Sequence, residues 1–168
     1  MEQLTVNYDV YEDANRYDGT ASAVLPDISF LTQSLSGAGI GGNIEAVTAH
    51  IDAMTLSLNW REHTQEAYGL STPERHHIEL RAARQDENPV TGELEYKNIK
   101  RVLVVIPKGL TGGTLAPHSA TSPASSFAVR YYAVYIEGVK QIELDPLNYI
   151  CYINGTDYLE NVRKALGR

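Results

Sequence analysis

Three glycines in the stretch SLSGAGIGGN, Gly37, Gly39 and Gly42, stand at the G-x-G-x-x-G spacing that cradles the pyrophosphate of a dinucleotide. The chemistry needs a strand before the loop, a helix after it and a βαβ unit around both, because backbone N–H groups and a helix N-terminus hold the phosphates. Downstream, NIEAVTAHIDAM places Ile44, Val47, Ile51 and Met54 at helical spacing, which allows a helix to begin at the loop. No acidic residue follows at the tip of a second parallel strand. The glycines therefore read as a loop that admits positive φ and close backbone approach, with no NAD and no other cofactor.

Other reactive residue types are no better arranged. His76 and His77 are adjacent in a β-type stretch, so their side chains point to opposite faces and cannot ligate one metal from there. EHTQE lacks the i, i+4 histidines of a zinc helix, and the chain contains no G-x-S-x-G elbow and no phosphate-binding P-loop. Cys151, the one cysteine, lies in the apolar run NYICYI without an identifiable base, so it reads as a buried, inert thiol. No catalytic residue and no metal site is expected.

The elements that position these residues are mostly strands. MTLSLNW alternates, with Met54, Leu56, Leu58 and Trp60 on one face. HIELRAARQ repeats the period, turning Ile78, Leu80 and Ala82 inward and Glu79, Arg81 and Ala83 outward. Between them, HTQEAYGLSTPE leaves room for a short helix stopped by Gly69 and Pro73. Asn88, Pro89 and Gly92 form a turn into ELEYKNIKRVLVVIP, which makes a long hairpin. Residues 108–126 are small and polar and read as an exposed loop. FAVRYYAVYIEGVKQIELD then forms a hairpin at Glu137-Gly138, with Tyr131, Tyr132 and Tyr135 on both faces of its first strand, as in a strand covered on both sides. After YICYI and the turn Asn154-Gly155, a terminal helix is expected, capped by Asp157, reinforced by Glu160 and closed by Gly167, with Leu159, Val162 and Leu166 as its apolar stripe. About eight strands in hairpins and two short helices imply a mainly β, antiparallel sandwich or barrel over one domain, 1–168.

Composition agrees. Of the 168 residues 43% are hydrophobic and 21% charged, ordinary for a folded globular chain. No apolar run is long enough for a bilayer and the N-terminus lacks a secretory pattern, so no membrane anchor is expected and the cytoplasm is the expected site of synthesis and assembly. A net charge of −7 disfavours gripping phosphate backbones, although an acidic wall also lets DNA slide past without sticking.

Taken together, VNYDVYEDANRYDGTASAVLPDI, LSGAGIGGNIEA, MTLSLNW and YYAVYIEGVKQIELDPLNYICYINGTDYLENVRKALG resemble the major tail tube proteins of contractile-tailed bacteriophages. The match runs through Asn15–Gly19, Leu25-Pro26, the glycine loop, Gly138, Glu143, Asp145, Asn148, Asn154-Gly155, Asp157, Leu159, Arg163 and Leu166-Gly167, with Ala14 standing where a glycine is expected. The resemblance implies a structural protein: a β-barrel or sandwich flanked by a helix, forming hexameric rings that stack into the inner tube of a tail. It also implies partners, namely further copies of itself, a surrounding sheath protein, baseplate and tail-terminator proteins, and DNA passing through the lumen without specific binding. The tubes of contractile bacteriocin particles are similar.

On this reading Gly37, Gly39, Gly42, Ile44 and Val47 are candidates for contact between subunits, and Glu79, Arg81, Glu93 and Glu95 for the lumen face. A bulky residue at Gly39 is expected to stop tube growth while the monomer still folds. A monomeric β-sandwich that binds a ligand such as a carbohydrate is the alternative.

Overall fold

A computed structural model describes residues 2–168 as twelve strands and two short helices, with every strand pair antiparallel. The strands are β1 (Gln3–Glu12), β2 (Asn15–Tyr17), β3 (Thr20–Val24), β4 (Phe30–Leu35), β5 (Ile44–Ile51), β6 (Met54–Trp60), β7 (His76–Glu87), β8 (Leu94–Thr111), β9 (Ala124–Ile136), β10 (Val139–Asp145), β11 (Ile150–Ile153) and β12 (Thr156–Asp157). Helix α1 (Gln65–Gly69) lies between β6 and β7, and α2 (Glu160–Ala165) closes the chain. The mainly β, antiparallel fold class follows from the alternation in β6, β7 and β8.

The large sheet runs β12-β11-β10-β9-β8-β7-β1-β2 and forks along β9. Residues 124–129 of β9 pair with β6, which carries β3 on its far side, whereas residues 132–136 pair with β10. At the fork Arg130 has no partner across β8, where Val104 opposes Tyr131 and Val105 opposes Val129. One extra residue reverses the inward parity, so Ser125, Phe127 and Val129 face the core before it and Tyr132 and Val134 after it. The two arms of the fork fold over a core of Val10, Leu56, Leu58, Trp60, Ile78, Leu103, Val105, Phe127 and Leu144, all at most 1% exposed. Trp60 satisfies its indole N–H within that core by donating to Ser125 Oγ at 2.9 Å. The path ends at β2 and β12 without closing, so the barrel alternative does not hold.

Four local expectations are corrected. Residues 44–51 form strand β5, not a helix; Ile44, Val47, Ile51 and Met54 fit a helical period only because neither face of β5 is covered enough to impose alternation. The exposed loop expected over 108–126 is shorter, since β8 runs on to Thr111 and β9 starts at Ala124, while Thr121, Pro123 and Ser125 are buried. Asp157 does not cap α2, whose N-cap residue is Leu159 with no side-chain cap bond. Leu166, expected on the apolar stripe of α2, is 56% exposed, whereas Leu159 is buried. Helix α2 ends in a Schellman turn: Gly167, at φ +74°, donates to Lys164 O at 3.1 Å and Arg168 to Arg163 O at 2.9 Å. Helix α1 is a short turn whose N-cap, Thr64, accepts from Ala67 N.

Candidate functional site

The glycine loop joins two antiparallel strands. Strands β4 and β5 form a two-stranded sheet of their own, and residues 36–43 are its tip. No helix N-terminus follows, so the loop has neither the donors nor the dipole that hold a pyrophosphate. A side chain built on Gly37, Gly39 or Gly42 would meet nothing within 4 Å, and Gly39 sits at φ +90°. The hairpin is an arm. Its base packs on the core through Phe30, Ala49 and Ile51, with His50 edge-on to Tyr149 at 6.1 Å between centroids. Beyond the base Leu31, Leu35, Ile40, Ile44 and Val47 are exposed. Ile44 pairs with Leu35 and Val47 with Thr32, so the two candidates lie on opposite faces of the arm instead of one helical face.

A second surface is the outer face of the large sheet. Register aligns Tyr11, Glu79, Val102, Ala133, Glu143 and Tyr152 in one row across five ladders, beside Asp9, Arg81, Lys100, Tyr135 and Lys140. Cations and carboxylates neutralise one another here. Arg81 Nε donates to Glu79 Oε1 at 2.6 Å, Lys100 Nζ lies 3.6 Å from the same oxygen, and Lys140 pairs with Glu143. The cations also lie over rings: Arg81 over Tyr11 at 4.2 Å, Lys140 over Tyr152 at 5.4 Å and Lys100 over Tyr135 at 5.8 Å. Burial works against the charged form of Glu79, but the Arg81 hydrogen bond and Lys100 outweigh it and hold its pKa below the ordinary carboxylate range. Burial pushes Tyr131, on the same face, up to about 12.

Glu95 does not join this face. It pairs with Asp86, whose side chain lies on the core side of the hairpin, held by Arg84 Nε at 2.8 Å and Lys97 Nζ at 3.2 Å. Glu93 precedes β8 in the turn at the hairpin tip, where its carbonyl accepts from Asn88 N at 2.9 Å. The four lumen candidates therefore divide between two faces and a turn. Directly paired residues share a face, and in this hairpin an odd-numbered residue of β7 pairs with an even-numbered one of β8.

His76 and His77 point apart, as the β period requires: His76 is 4% exposed and His77 is exposed. Nδ1 of His76 donates to Glu12 Oε1 at 2.5 Å and Nε2 to the Thr72 carbonyl at 3.0 Å. Both nitrogens thus face acceptors, the arrangement of a charged imidazolium. Burial opposes that charge, yet the Glu12 hydrogen bond prevails and raises the pKa above its ordinary value. Tyr17 donates to the other oxygen of Glu12, and burial followed by that carboxylate pushes its phenol up to about 12. The cluster ties the β1–β2 turn to the start of β7. Asp157 acts similarly at the other end of the sheet, accepting from Leu159 N at 3.1 Å and from Arg163 Nη1 at 2.6 Å. Cys151 is fully buried, and burial raises its pKa, as for an inert thiol. Among the described residues no group of three or more His, Cys, Asp or Glu side chains is placed to hold a metal ion.

Residue-type reasoning missed one feature altogether. Strand β1 pairs with β7 from Gln3 to Glu12 apart from a bulge at Val6, but with β2 only from Val10 to Glu12, so among the described residues Gln3–Asp9 presents an unpaired backbone edge with exposed Leu4 and Val6. The described residues thus combine a bare sheet edge, a projecting apolar arm and paired charges across the outer face.

The particular class is set by comparison. Residues 3–167 match the family model of the phage tail tube protein FII, and the chain belongs to that family, one of structural tube proteins and not of enzymes. Its fold is similar to a chain of the sheath-tube complex of an extracellular contractile injection system, PVC, in the extended state, at 14% identity and a TM-score of 0.54, over 76% of this chain and 87% of that one. It is equally similar, TM-score 0.54 at 13% identity, to a chain of the PVC sheath/tube terminator in the extended state, over 77% of this chain and 94% of that one. A search of curated proteins finds no match.

Proposed function

We propose that the chain is a single tube domain that builds the inner tube of a contractile tail: copies close into hexameric rings, and rings stack into a conduit for DNA or effectors inside a particle of the virion or bacteriocin type. The observation that carries this reading is the family match over residues 3–167, joined to a sheet left open at β1. An unpaired edge is a liability in a monomer, and in a ring each copy covers its neighbour's by a heterologous contact. Sheath, baseplate and terminator proteins are the expected partners outside and at the tube ends, with assembly in the host cytoplasm.

The outer sheet face with Glu79 and Arg81 is our assignment for the lumen wall, with Glu93 and Glu95 displaced toward the ring rim. A ring of six carries a formal charge of −42, from −7 per copy. On the wall itself Asp9, Glu79 and Glu143 are matched in number by Arg81, Lys100 and Lys140, so passing DNA meets balanced charge and aromatic edges without a cationic track to hold it. The arm, with Gly37, Gly39, Gly42, Ile44 and Val47, serves contact between subunits. Negative-stain microscopy of the purified chain over rising concentration tests the reading. Rings or rods of uniform width are expected; a chain that stays a single subunit even with its tail-initiating partners refutes it.

A further inference from the structure

Beside the bare edge of β1 lies a cavity of about 170 Å³ under the end of β3, lined by Thr5, Tyr8, Ala23, Leu25, Ala82 and Arg101. Arg101 is out of place by every local rule. It lies on the core side of β8, directly between Leu80 of β7 and Val134 of β9, in a row that continues apolar to Val10, Ile142 and Ile153. The guanidinium is only part-buried, so water can solvate it in the lone subunit, and a carboxylate would become its better partner once a neighbour shuts the water out. Among the described residues no carboxylate stands within 4 Å of it, although all six arginine or lysine clusters with a carboxylate are found elsewhere in the chain. Its neighbour is the Tyr132 phenol. Tyr8 adds a second unmet need: its hydroxyl is buried and has no hydrogen-bond partner. A guanidinium donates only, and a phenol and the Thr5 hydroxyl donate readily, so the group that completes the cavity is an anionic acceptor.

We propose that this cavity is a socket for a carboxylate side chain of a second copy of the chain. The proposal rests on the reading that copies assemble, and it locates where one copy grips the next. Two observations select the occupant. The chain has 21 acidic against 14 basic residues, so each copy brings surplus carboxylates to a neighbour. The cavity also adjoins the Gln3–Asp9 edge, unpaired among the described residues, through Thr5 and Tyr8, and its Leu25 is exposed to a neighbour. A planar carboxylate docked on Arg101, with the apposed strand edge excluding water, is the arrangement of a strong interface ion pair. Ring closure then supplies what the lone subunit lacks.

The test compares the wild-type chain with Arg101→Gln, Arg101→Lys and Tyr8→Phe, reading the concentration threshold for assembly by sedimentation and the thermal midpoint of each dilute monomer. Arg101→Gln is expected to raise the threshold at least about tenfold, Tyr8→Phe severalfold, and Arg101→Lys less than Arg101→Gln, with the monomer midpoints unchanged or raised. The threshold of the wild type is expected to climb with salt and that of Arg101→Gln to respond less. An Arg101→Gln threshold equal to that of an assembling wild type overturns the socket and leaves the tube reading intact. A monomer midpoint that falls in step with assembly overturns it too, by making Arg101 part of the subunit's own fold. A wild type that never assembles overturns both.

Discussion

Ala14 sits in the two-residue turn between β1 and β2 at φ +67°, next to Asp13 at φ +46°. A Cβ in the left-handed region clashes with the following carbonyl, a cost of roughly 1–2 kcal/mol that glycine avoids. Ala14→Gly is therefore expected to stabilise the monomer, by about 0.5–1 kcal/mol after glycine's extra chain entropy, in urea denaturation; a loss of stability would contradict the assigned turn. This is where the expected glycine is missing from the sequence, and the backbone keeps the conformation regardless. His76 gives a second test at this scale. Its folded pKa is raised by Glu12, so its contribution is fully present below the unfolded value of about 6.5 and is lost as pH climbs through the folded value. The thermal midpoint should fall from about pH 6 to about pH 8 in the wild type and fall less in His76→Asn; parallel curves would show that the pair carries no proton linkage. The burial of His76 was legible from alternation, because His76 shares parity with Ile78 and Leu80. Its partners were not, since Glu12 is 64 positions away and is brought close only by the β1–β7 register.

Elements whose one face is buried announced themselves. β6 and β7 alternate because water lies on one side and the core on the other, and the turns Glu137-Gly138 and Asn154-Gly155 adopt the positive φ pairs of tight hairpins. The β4–β5 arm was illegible for the complementary reason: with both faces largely in water, its apolar residues follow no period of two. Residues 108–126 hid their packing similarly, since Thr121 in the β8–β9 connection and Ser125 at the start of β9 are buried polar residues in a segment whose composition reads as loop. Gly113 marks how tightly that connection folds back. At φ +76°, a Cβ there would lie 2.1 Å from the Thr121 carbonyl oxygen, so Gly113→Ala should destabilise the chain by about 2 kcal/mol or more in chemical denaturation. A neutral result would mean that residues 112–123 do not pack as described. The arm is tested separately. Val47→Glu places a charge on a residue 65% exposed, so the monomer should keep its midpoint while assembly fails; unimpaired rods would remove the arm from the subunit contacts.

At the scale of the whole molecule, the forked sheet combines an enclosed core with an open edge. The two arms of the fork enclose a core centred on Trp60, Phe127 and Leu103, which suffices for a folded subunit. At the far end of the path, residues 3–9 of β1 lie beyond the short pairing with β2, beside an orphaned hydroxyl and a guanidinium that has no carboxylate within 4 Å among the described residues. Local sequence periods reveal strands but not which edges remain free, because an edge is defined by the partner that is absent. The family resemblance in the last forty or so residues carried the class, whereas which residues share a face follows only from the strand register.

Amide hydrogen exchange, measured on the dilute monomer and on the assembled protein, tests edge-to-edge association most directly. The amides of Gln3–Asp9 that point away from β7 should exchange rapidly in the monomer and become strongly protected on assembly, alongside unchanged protection of β8 and β9. Assembled rods in which those amides still exchange at the monomer rate would contradict the account.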